Sequence, residues 1–151
     1  MITLDSLMLV LLGMILVICI IIGIYTTLYN KLQDYIIRIN EVEANIDNHL
    51  RNKYDTINKC VSIIKGSDKI DEEKDKKMFE EIVRLRTKKI SNFDLDRKLI
   101  EAENNFLTLK EKYDFLKESK EMIEITKKLE ELDENLIVSK EYYNKHIAEY
   151  N

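Results

Sequence analysis

From Leu7 through Leu28 the chain reads LMLVLLGMILVICIIIGIYTTL, without one charged residue. As a helix rising ~1.5 Å per residue, this run extends roughly 33 Å, enough for a bilayer core of about 30 Å. A cleaved signal peptide carries Lys or Arg ahead of a shorter apolar run and a small-x-small site after it. Here no Lys or Arg comes first and no such site follows. The run therefore reads as a transmembrane helix over 7–28, behind a short N-terminal segment, 1–6. Tyr25 and Tyr29 fall at its C-terminal edge, where amphipathic rings favour the headgroup layer. Only Asp5 precedes the run, while Lys31 and Arg38 follow it. The positive-inside bias then places the N-terminus outside and the rest of the chain in the cytoplasm, on a single-pass cell-membrane protein.

What lies beyond the run is rich in charge and poor in helix breakers. The chain has no Pro and no Trp, and its glycines are Gly13, Gly23 and Gly66 alone. All 24 Lys and Arg residues lie at or after Lys31, as does every acid except Asp5, so the signs nearly balance there. Such composition predicts an all-α domain with a solvated surface, and argues against a nucleic-acid partner, which needs clustered cations. Cys19 lies inside the apolar run, behind Leu16-Val17-Ile18, which are too bulky for a lipoprotein cleavage site. Cys60 stands on an apolar stripe and reads as a small buried thiol.

Past Asn30, apolar residues recur by threes and fours, the period of a helix with one buried stripe. The stripe Tyr29, Leu32, Ile36, Ile39, Val42, Ile46, Leu50, Tyr54, Ile57, Val61, Ile64 stops at Gly66-Ser67-Asp68. Nothing interrupts it at Tyr29, so the first helix is expected to continue straight out of the membrane. Four helices are predicted, over about 29–65, 70–90, 94–113 and 115–150, forming one unit over 29–151. Ser91, Asn92 and Asp94 supply the turn between the second and third, and Asp114 is the candidate cap of the fourth. The outer two span roughly 52 Å each and the inner two roughly 30 Å. Short connections then favour an antiparallel up-and-down four-helix bundle, in which the last helix returns along the first. That layout makes Tyr29-Asn30 and Tyr150-Asn151 neighbours, with Tyr143-Asn144 two turns inward. A single 60 Å rod in place of the inner pair is the competing layout, which the Ser91–Asp94 cluster disfavours.

The residues that could carry chemistry are sparse. A di-iron bundle uses Glu-x-x-His pairs, and Ile46 and Tyr143 stand three residues before His49 and His146. Both histidines read as partly exposed. Three scattered glycines build no phosphate-binding loop, and no serine or cysteine nucleophile motif occurs. No metal, cofactor or catalytic set is therefore expected. Antiparallel pairing of the first and last helices brings Asp47 and Arg51 toward Glu130, Asp133 and Glu134, and Arg38 toward Glu141. This is a candidate polar clasp fixing helix register.

Taken in order, these segments resemble the LemA family of bacterial membrane proteins. The resemblance rests on the single N-terminal span, Tyr29-Asn30-Lys31-Leu32, and Ile46, Asp47, Leu50 and Arg51. It continues in YDFLK at Tyr113–Lys117 and in LEELDENLIVSKEYYNKHIAEYN, which contains Tyr143-Asn144 and Tyr150-Asn151. Asn58 and Asp114 stand where the family pattern usually has Pro, and family members typically continue past the second Tyr-Asn pair. The resemblance implies a four-helix bundle on a membrane anchor and no settled catalytic role. With the anchor and the amphipathic stripes, it leads to the expectation of a non-enzymatic interaction or scaffolding module. Its partners would be the lipid bilayer and one or more proteins. The alternative is a self-assembling, membrane-shaping or stress-responsive homo-oligomer, though Gly13 and Gly23 are too far apart for a Gly-x-x-x-Gly contact.

Overall fold

The computed structural model describes residues 4–66, 80, 84 and 90–150, and the described residues are almost wholly α-helical. The predicted helix over 70–90 and the terminal Asn151 lie outside the described residues, apart from Glu80, Arg84 and Ile90. The described residues include these helices: α1, Leu4–Lys65; α2, Asn92–Lys112; α3, Asp114–Glu118; and α4, Lys120–Tyr150. The apolar run and the first amphipathic stripe are thus one helix, as the absence of a breaker at Tyr29 requires. Among the described residues one helix, α1, is long and apolar enough to cross a membrane, and none of its apolar window is buried within the protein. In that stretch the Thr26 and Thr27 hydroxyls donate back to the carbonyls of Ile22 and Gly23, at 2.8 to 3.0 Å. Both threonine hydroxyls are thus paired with backbone carbonyls of their own helix.

The chain divides into two compact units. One comprises residues 1–41 with 145–151; the other comprises 42–144. The larger unit holds the main apolar core. Leu50, Ile57, Cys60 and Ile64 of α1, Leu99, Ala102 and Phe106 of α2, Leu116 of α3, and Met122, Leu129 and Leu136 of α4 are all buried. Leu50, Ile57 and Ile64 belong to the first sequence stripe and Cys60 is the buried thiol expected on it, whereas Leu116 is buried beside Phe115, where the last stripe was expected to begin. Burying each Leu or Ile stabilises the fold by about 1.5–3 kcal/mol before chain entropy is counted.

Helix α2 starts where Ser91 and Asp94 suggested. Ser91 is the N-cap, in extended backbone, and its Oγ accepts from the Asp94 backbone N–H at 3.2 Å while donating to the Asp94 carboxylate at 2.9 Å. The fourth predicted helix, 115–150, is two helices. The break comes at Tyr113 (φ −116°, ψ 107°) and again at Ser119 (φ −69°, ψ 120°). Asp114 is the first residue of α3, and the cap position is Tyr113, which supplies no side-chain hydrogen bond. Asn58 lies inside α1, and its carbonyl accepts from the Ser62 hydroxyl at 3.0 Å.

Candidate functional site

The most charged feature of the core was not legible from the stripes. Lys53 lies on α1 between Asn52 and Tyr54, and its side chain is only 1% exposed. A lone buried ammonium is prohibitively costly, so partners must be present. They come from two other helices: Nζ donates to Glu103 of α2 at 2.5 Å and to Asp133 of α4. Glu103 is 14% exposed and Asp133 37%. One cation is thus shared by two carboxylates of unequal burial.

The titration of the cluster follows from that count. Burial pulls the Lys53 ammonium down, but the hydrogen bonds and charges of Asp133 and Glu103 outweigh it, and the group is held above its ordinary value. Glu103 is also pushed above the usual carboxylate range, first by burial and then by the negative charge of Asp133, against the pull of Lys53. A second pair joins α2 to α4, Lys140 Nζ meeting Asp96 at 2.5 Å, and the Lys110 ammonium donates to the Thr126 hydroxyl at 2.9 Å. Cys60, on the same face as Ile57 and Ile64, is 1% exposed, and burial pushes its thiol up to about 12.

The residues of the expected clasp are placed differently. Arg51 is 72% exposed and its Nε donates to Asp47 of its own helix at 2.8 Å. Glu130 and Glu134 are exposed. Lys53 and Lys140 make ion pairs between helices, because those positions turn toward neighbouring helices, whereas Arg51 pairs within its own. Of the acids considered opposite α1, Asp133 is the one engaged.

Tyr143 and Asn144 line a groove of about 490 Å³ with Glu43, Ile46, Leu50, Asp96 and Lys140. In the smaller unit, Tyr25, Leu28, Tyr29, Lys31, Leu32 and Tyr35 of α1 line a second groove, of about 500 Å³, together with Glu149 and Tyr150 of α4. Tyr29 and Tyr150 thus line the same groove. Tyr25 and Tyr29 stack at 6.3 Å between centroids, and the Lys31 ammonium lies 6.0 Å from the Tyr35 ring centre. His146 was expected to be partly exposed; instead it is buried, at 6%, with its ring 6.5 Å from that of Tyr35. Packing on Tyr35 removes it from water, whereas His49 is half-buried. No group of three or more His, Cys, Asp and Glu side chains placed to hold a metal occurs among the described residues.

The family model described as the LemA family matches residues 42–151. The chain belongs to the LemA family. No curated protein matches it. The matched residues begin at Val42, where the larger unit begins, and take in both Tyr143-Asn144 and Tyr150-Asn151. Lys53, Glu103 and Asp133 all fall within the LemA match, whereas Tyr29-Asn30, which the sequence resemblance also drew on, precedes it.

Proposed function

We propose that this LemA-family chain is a single-pass membrane protein whose helical domain is a non-enzymatic interaction module. The observation that carries this reading is α1 itself, an uncharged, wholly uncovered run of helix followed without interruption by a striped, core-forming half. A soluble protein has no use for so long an uncovered apolar surface, because leaving it in water is unfavourable and drives aggregation. The domain is an antiparallel bundle in which α4 returns along α1. Support comes from two grooves of the larger unit: Thr56 and Lys59 share one with Glu124 and Lys128, and Glu43 and Ile46 share the other with Tyr143 and Asn144. As numbers on α1 fall, those on α4 rise. The positive-inside bias of Lys31 and Arg38 puts the bundle in the cytoplasm.

Two measurements test the reading. The full chain should stay in the membrane pellet through alkaline carbonate extraction, and a C-terminal tag should resist protease added to intact cells and be cut after permeabilisation. Extraction into the supernatant removes the anchor, and cleavage in intact cells reverses the orientation. Crosslinking in native membranes then separates a binding module, recovered as a monomer or with a different protein, from a self-assembling one, recovered as a ladder of its own copies.

A further inference from the structure

The groove of the smaller unit has an unusual chemical balance. Its walls offer four tyrosine rings, one cation (Lys31) and one carboxylate (Glu149). Lys31 is the first charged residue after the apolar run, and Tyr29 stands one residue beyond that run's end. If α1 crosses the bilayer as proposed above, on which this inference rests, the groove opens at headgroup depth. Glu149 reaches it from α4, so the carboxylate belongs to a different element from the cation.

A purely anionic headgroup suits Lys31 but is repelled by Glu149. A headgroup that carries a phosphate and a primary ammonium suits both. We propose that this groove binds an aminophospholipid of the bilayer, of the phosphatidylethanolamine class. The phosphate accepts from the Lys31 ammonium and from tyrosine hydroxyls. The ligand ammonium donates to the Glu149 carboxylate and lies against the faces of Tyr29 and Tyr150, whose ring quadrupoles attract cations. Leu28 and Leu32 flank the start of the acyl chains. Seating a lipid there joins the returning end of α4 to α1 within this unit.

The test is native mass spectrometry of the full chain, released from micelles containing equimolar phosphatidylethanolamine and phosphatidylglycerol of identical acyl chains. A single cation–π contact corresponds to a factor of roughly two to five in affinity, and a charged hydrogen bond adds to it. The aminophospholipid adduct should therefore dominate by at least about five-fold. Glu149→Gln should bring the two lipids to parity, and Lys31→Gln should weaken both. Circular dichroism confirms that each variant keeps its helix content. Equal adducts in the parent chain, a preference for phosphatidylglycerol, or an unchanged ratio in Glu149→Gln overturns the assignment. A chain that stays in carbonate-washed membranes yet shows no preference loses only the lipid site, whereas one that is washed out loses the anchor and the site together.

Discussion

The ammonium of Lys53 meets the carboxylate of Glu103 at 2.5 Å in the interior of the larger unit, and both side chains are almost wholly withdrawn from water. Removing one member of such a pair strands the other, which costs far more than the intact pair contributes. Lys53→Met should therefore lower unfolding free energy by about 3 kcal/mol, at the low end for a buried pair because Asp133 keeps some contact with solvent. Adding Glu103→Leu to Lys53→Met should recover most of that loss, since an apolar replacement of the whole pair leaves no buried charge. Urea unfolding of the three chains in detergent decides it. A Lys53→Met chain as stable as the parent would show that the cluster does not hold the helices together.

The same cluster sets a pH dependence. Glu103 has a folded-state value above its ordinary 4.5, so between these two values the folded chain binds more protons than the unfolded one. Stability contributed by this site must then fall as pH rises through that window. Lys53 is held above 10.5, so the stability it contributes is complete below that pH and is lost as pH rises through the raised value. The measurable form is a difference. The stability of the parent relative to Glu103→Gln should decrease on going from pH 4.5 upward through the raised value and then level off. A difference that grows with pH there would reverse the assignment of the proton to Glu103.

At the start of α2, the Ser91 hydroxyl takes up the Asp94 backbone N–H. Ser91→Ala should cost about 1 kcal/mol, and Ser91→Asn should cost much less, because Asn caps as well as Ser. Thermal melts of the two variants distinguish capping from a generic surface effect.

Cys60 should be chemically silent in the folded chain. With its thiol pushed up to about 12 and its side chain 1% exposed, almost no thiolate is present or reachable at pH 8. A maleimide reagent should modify Cys60 only after denaturant is added. Rapid modification under native conditions would mean that the core opens locally. One practical result is that sidedness is better read from a terminal tag than from this cysteine.

How much of this the sequence discloses depends on what kind of signal each feature leaves. Leu50, Ile57, Leu99, Phe106, Leu129 and Leu136 are buried as their spacing predicts, because a period of 3.6 is a direct image of a helix face. Ser91 announces the start of α2 because hydroxyl caps are a local code. Tyr29 and Tyr150 line one groove, and the expectation that they would be neighbours rests on helix lengths together with short, reversing connections. Lys53 was invisible for the opposite reason: a lysine at a buried angle of the stripe is indistinguishable, one residue at a time, from a solvated one. Its partners lie 50 and 80 positions away, and no local pattern marks them. The division of the last helix at Ser119 left no trace either, since neither Gly nor Pro marks it.

The corner at Tyr113 has the geometry that a proline at the next position would need. Tyr113 already holds the extended backbone that a following proline demands, and Asp114 occupies the opening position of α3, where an amide hydrogen has no helical acceptor. The backbone here is thus indifferent to whether an acid or a ring comes next, so Asp114→Pro should fold with an unchanged or higher melting temperature. At Asn58, in the interior of α1, the same exchange would delete a rung and collide with the carbonyl of Tyr54. Two substitutions to proline that look equivalent on paper therefore have opposite mechanical meanings, one leaving a corner as it was and the other breaking a continuous strut.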